Sequence, residues 1–122
     1  MAYGDPRFLG YLAAAAFNHG FPEYARPFYA AFLSLPALPS RIANGVSSDP
    51  EVIVRVIPTP KHGTYLSIVN VGLTAKRNVT IRLPEKVKSR LIDAATGRPL
   101  KAANNRLRFD MEPCSLRAVR IQ

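Results

Sequence analysis

Tryptophan is absent from this chain, and cysteine occurs once, at Cys114. A single thiol forms no intrachain disulfide and no cysteine-based metal cluster. Within "PCSLRAV" it is expected to be a buried, inert side chain on an inward-packing strand. A reactive thiol would need a paired histidine, and neither His19 nor His62 has such a motif around it. The missing tryptophan removes the platform by which isolated sandwiches usually hold sugars. No apolar run reaches the roughly 18 residues that span a bilayer, so no membrane partner is expected. The N-terminus "MAYGDPRFLGYLAAAAFNHG" has an acid near its front and no basic n-region, which excludes a signal peptide at this end. The compartment stays open, and is cytoplasmic if Met1 is the native start.

Catalytic constellations are missing too. The acids are Asp5, Glu23, Asp49, Glu51, Glu85, Asp93, Asp110 and Glu112. None forms a close pair inside an apolar run, where a raised carboxylate pKa would be expected. His19 and His62 sit beside Gly20 and Gly63 in turns, without partners at ligand spacing, so no metal site is expected. Neither a GxxxxGK loop nor a GxGxxG motif occurs, and no cofactor is implied. Asn78-Val79-Thr80 matches the N-glycosylation pattern, a triplet common by chance.

What is present is one domain's worth of chain, 122 residues that are 48% hydrophobic, enough for a real core. Its charge is uneven. Residues 1–60 carry four basic and four acidic side chains, whereas residues 61–122 carry thirteen basic and four acidic ones. The whole net charge of +9 therefore lies on the second half.

The periodicity divides the chain in the same way. From Asp5 to Leu35 it is helical. Asp5-Pro6 reads as an N-cap with proline at the first helical position, and Gly20 as a stop. A second helix is expected from near Pro22, with Pro27 in its first turn or kinking it. Tyr24, Phe28, Phe32 and Leu35 form one stripe, with Ala31 beside it. Helices this short are marginal alone, so the stripe must dock on a sheet, a second copy of the chain or a further domain. These four residues are the candidate interface, and a homodimer is one expected outcome. Residues 1–40 form a helical segment and 41–50 a linker, "RIANGVSSDP", rich in turn formers.

Residues 51–122 read as strands. "EVIVRVIP", "TYLSIVNV", "RNVTIRLP", "VKSRLIDA", "NRLRFDME" and "CSLRAVRI" are short apolar runs separated by turn signals. Such spacing predicts a mainly β fold, an antiparallel β-sandwich of about six to eight short strands preceded by one or two α-helices. Val79, Ile81 and Leu83 alternate with Thr80 and Arg82, and Leu107, Phe109 and Met111 with Arg106, Arg108 and Asp110. Most strands thus give a basic residue to the outer side.

A basic β-fold could hold nucleic acid if aromatics shared its outer face. Only Tyr65 and Phe109 follow residue 60, and Phe109 alternates inward. The bases of a nucleic acid would have nothing to stack on, which favours a solvated face or a patch for an acidic partner. The candidate ligand face is Tyr65 with Arg82, Arg106 and Arg108, and carbohydrate remains a partner to consider. The alternative to a structural role is a binding module whose basic sheet face takes an acidic polysaccharide, nucleic acid or protein.

The stretch "GTYLSIVNVGLTAKRNVTIRLPEKVKSRLIDAATGRPL", followed by "LRFDMEPCSLRAVRI", resembles the C-terminal accessory β-sandwich of multidomain glycoside hydrolases. The matching residues are Tyr65, Asn70, Leu83, Pro84, Asp93, Thr96, Gly97, Pro113, Leu116 and Arg117. Upstream, "ARPFYAAFLSLPALPS" looks like the helix that leads from the catalytic region into the sandwich. The resemblance places catalysis in a (β/α)8 barrel of ~250 residues, which this length cannot hold. It therefore implies a non-catalytic module, a partner catalytic domain and a structural role.

Overall fold

The computed structural model describes Ala2, residues 22–83 and residues 90–122. The expected first helix and the "PEK" turn lie outside these residues.

Helix α1, Pro22–Leu33, starts on a proline whose missing N–H would have had no helical partner. Glu23 places a negative charge in the first turn, where the helix dipole favours it. Pro27 sits inside the helix. The Ser34 hydroxyl donates to the Ala31 carbonyl at 2.7 Å, satisfying one of the last carbonyls before Pro36 ends the helix.

Eight strands follow: β1 Arg41–Ile42, β2 Val52–Pro58, β3 Thr64–Asn70, β4 Lys76–Arg82, β5 Leu91–Asp93, β6 Pro99–Leu100, β7 Arg106–Met111 and β8 Leu116–Ile121. Six of them form one sheet in the order β1-β2-β3-β8-β5-β6, while β4 and β7 form a second. Every pairing is antiparallel, as the sequence pattern predicts.

Alternation decides which residues meet. Val52, Val54 and Val56 of β2, with Leu66 and Ile68 of β3, face Val79 and Ile81 of β4 and Leu107 and Met111 of β7. All are buried, Leu66, Ile68 and Ile81 completely. The other face of the large sheet presents Ile57, Val69, Leu116 and Ala118, and α1 covers it with Ala31 and Leu35, flanked by Phe28 and Phe32. Burying one large apolar side chain is worth roughly 1.5–3 kcal/mol, so this face supplies the stability that a lone helix of this length lacks. The layers run helix, large sheet, small sheet.

Residues 41–50 are tied into both sheets. Ala43 N–H donates to the Val54 carbonyl on the large sheet, and Arg82 N–H to the Val46 carbonyl on the small one, at 2.9 and 2.8 Å. Ser47 bridges to Ile81. A crossing held by backbone bonds needs no hydrophobic period, so its turn-rich composition reads as irregular. Lys76 of β4 fastens the same region by ion pairs to Glu51 and, at 3.7 Å, to Asp49. Its hydrogen bond to Glu51 raises its pKa above the ordinary lysine value, with the Asp49 charge acting in the same direction.

The turns follow local chemistry. Gly97 has φ +72° in the hairpin between β5 and β6. Asp93 Oδ1 accepts from Ala95 N–H and Thr96 N–H, both at 3.0 Å. At Gly63 a Cβ would collide with the Ile121 carbonyl, so only glycine lets the β2–β3 turn approach the last strand. Cys114 departs from the expected buried thiol. It is exposed, at φ +51°, in the turn before β8, which begins only at Leu116. Periodicity could not separate the turn "EPCS" from the strand it introduces.

Candidate binding surfaces

The expected interface stripe packs against the chain's own sheet. Leu35 is buried, and Phe28 and Phe32 are half-buried beside Leu116 and Ala118. The Tyr24 side chain lies outside the described residues. The opposite side of α1 is open, with Tyr29 53% and Leu33 78% exposed. A stripe at helical spacing shows that a helix must be covered, while the covering surface is a property of the tertiary fold.

The four candidate ligand-face residues do not assemble. Tyr65 lies on β3, on the side of the large sheet that meets α1, half-buried with the Arg120 guanidinium 5.7 Å from its ring centroid. Arg82, Arg106 and Arg108 stand on β4 and β7, exposed, on the outer side of the small sheet. Two layers separate them. Alternation fixes which side of a strand a residue takes but not which sheet the strand joins.

Another basic residue is hidden. Arg55 of β2 is only 8% exposed. Its Nε donates to Ser40 Oγ at 2.7 Å and its Nη1 to the Ala2 carbonyl at 3.3 Å, which joins the N-terminal segment to the sheet. Opposite it in register is Ser67, whose hydroxyl is buried without a hydrogen-bond partner; nothing in the structure explains it.

A groove of about 760 Å³ runs between α1 and the turn joining β7 to β8. Phe28, Ala31, Leu116 and Ala118 give it an apolar lining, and Glu23, Asp93, Asp110 and Glu112 also border it. Small residues at 30 and 31 leave this space, a signal that helical spacing alone does not interpret.

Asp93, Asp110 and Glu112 have structural occupations. Asp110 and Glu112 both bind Arg77 Nη1, at 3.4 and 3.2 Å. Asp110 also accepts from Asn78 N–H at 2.8 Å, and Asp93 caps its own turn. Asp49 and Glu51 hold Lys76. His62 N–H donates to Thr59 Oγ1 and its carbonyl accepts from Arg120, a turn residue's duties. Asp5, His19 and Glu85 lie outside the described residues, among which no three His, Cys, Asp or Glu side chains gather to hold a metal ion.

Asn70 shows what the residues carrying the sequence resemblance do. It is fully buried, and its Nδ2 donates to the Thr74 and Glu112 carbonyls, both at 2.9 Å. Its Oδ1 accepts from Gly72 N–H at 3.0 Å. One amide therefore binds the β3–β4 loop to the β7–β8 turn. Leu83 and Leu116 are core, and Arg117 lies 5.0 Å from the Phe109 ring centroid. Pro84 is outside the described residues.

No protein-family model matches the chain, and no curated protein matches it. Solved structures do. A Bacillus halodurans C-125 protein, provisionally described as an alpha-N-acetylgalactosaminidase, superposes on 75% of this chain with TM-score 0.59 and 13% identity. The chain takes up 23% of that protein. The shared part is a β-sandwich, so the likeness is to a domain-sized portion of that protein. A family 27 glycoside hydrolase, the β-L-arabinopyranosidase of Geobacillus stearothermophilus in complex with arabinose, superposes on 69% of this chain. That match has TM-score 0.56 and 14% identity, and the sandwich takes up 19% of the enzyme. The chain thus spans about a fifth of the length of these proteins, and at such identities the likeness is one of fold.

Proposed function

We propose that this chain is the non-catalytic accessory domain of a glycoside-hydrolase-like protein and that its work is packing against a neighbouring catalytic domain. The observation that carries the reading is the shared fold over about a fifth of two glycoside hydrolases, the greater part of each lying beyond the match. Asp49, Glu51, Asp93, Asp110 and Glu112 support it, being occupied in caps and ion pairs. The open side of α1, with Tyr29 and Leu33, is the contact surface for that neighbour. Large exposed apolar side chains on one helix side suit a domain interface.

Turnover measurements test the reading. The purified chain is expected to be inactive on a panel of aryl glycosides that includes uronides. Activity that follows the protein through purification and disappears on changing a single acid, Asp110→Asn or Glu112→Gln, would overturn it.

A further inference from the structure

The outer side of the small sheet keeps three cations close together with little to hold them. Arg82 and Arg106 are Cα partners. Each turns its backbone away from the other, Arg82 N–H donating to Val46 and Arg106 N–H to Ala103. They are therefore a non-hydrogen-bonded pair, the class with Cα atoms about 4.5 Å apart and side chains closest. Arg108 follows on the same side, about 7 Å along the strand. Like charges directly opposite each other destabilise a sheet.

Among the described residues, local partners do not relieve this repulsion. Arg82 reaches, among those residues, the Gly45 carbonyl alone, at 3.5 Å. Arg106 and Arg108 make no side-chain hydrogen bond or ion pair among the described residues. The nearby carboxylates of Asp110 and Glu112 belong to Arg77. Among the described residues the fold thus holds three exposed guanidiniums in one cluster, Arg82 across from Arg106 and Arg108 beside it, at a cost that an anion would remove.

We infer that Arg82, Arg106 and Arg108 form a binding face for an acidic polysaccharide. Guanidinium forks bind carboxylate or sulfate oxygens in pairs, with directed, charge-assisted hydrogen bonds. A pair across the ribbon and a third fork two residues along it can take acidic groups from successive units of a chain that repeats them. The other outward positions, Asn78, Thr80 and Asp110, offer no aromatic ring for a base to stack on, which turns the choice away from nucleic acid. The inference is independent of the accessory-domain reading, because an isolated binding module would use the same face.

The test titrates the whole chain at physiological salt with polygalacturonate, dextran sulfate, neutral dextran and a single-stranded oligonucleotide. One variant combines Arg82→Gln, Arg106→Gln and Arg108→Gln. A control removes equal charge near the far edge of the large sheet, with Arg90→Gln, Arg98→Gln and Lys101→Gln. Binding to polygalacturonate or dextran sulfate, and not to neutral dextran, is expected. The first variant should lose about tenfold or more in affinity and the control about twofold, as directed bonds and diffuse attraction differ. The unliganded first variant should melt no lower than the parent, since repulsion has been removed. Equal losses in both variants, no binding by the parent, tighter binding of the oligonucleotide, or a lower melting temperature would each overturn the inference.

Discussion

The two outer sides of this sandwich differ in what covers them. The large sheet turns Ile57, Val69, Leu116 and Ala118 outward and is closed by α1. The small sheet turns Thr80, Arg82, Arg106 and Arg108 outward and leaves the arginines in solvent. An apolar row on a sheet requires a second layer, whereas a charged row requires none. One β-sandwich thus has a side closed by a helix and, among the described residues, a side that faces solvent. The tie between them is the 41–50 crossing, with Lys76 held at Asp49 and Glu51.

The contrast can be broken most severely on the sealed side. Phe28→Asp combined with Phe32→Asp removes two aromatics from the helix–sheet seam and puts carboxylates there. The expected loss is about 1.5–3 kcal/mol, since a fully buried large apolar group is worth roughly 1.5–3 kcal/mol and these two are half-buried. Urea unfolding measures it. If stability held while the mass in light scattering halved, the stripe would be an intermolecular contact instead.

A smaller effect comes from the end where both sheets meet. Asn70→Ala removes the donor to the Thr74 carbonyl and the acceptor for the buried Gly72 N–H, while the Glu112 carbonyl keeps the Ser115 hydroxyl. Leaving buried groups unsatisfied costs about 1–3 kcal/mol, and a loss in that range is expected in the same unfolding experiment.

The smallest effect sharpens the tie itself. Lys76 holds its proton more tightly folded than unfolded, so its stabilisation is complete below the unfolded value, ~10.4. It fades as pH rises through the folded value. The gap in urea midpoint between the parent and Lys76→Met should therefore narrow in strongly alkaline solution. A gap that widened there would contradict the ion-pair assignment.

Much of this architecture was legible in the sequence, and its limits are physical. Alternation placed Val79 and Ile81 inside and Arg106 and Arg108 outside, because a pleated strand has only two sides. Spacing placed Phe28, Phe32 and Leu35 on one side of a helix. Neither pattern carries long-range pairing, so the surface that receives the stripe, and the distance of Tyr65 from the three arginines, emerged only from the fold. Short features escaped for another reason. β6 has two residues, and Cys114 sits in a turn at positive φ, both below the length at which a period can be read. The acids near the groove looked scattered along the chain, and the structure shows Asp93 serving its own turn and Asp110 and Glu112 sharing Arg77.

Amide hydrogen exchange on the native chain tests the sealed-side claim most directly. If α1 belongs to the sandwich core, its amides from Tyr29 to Leu33 should exchange with protection close to that of Leu116–Ile121, because both open only with the whole unit. Exchange of those helix amides at the rate of unfolded peptide, while β8 stayed protected, would contradict the account.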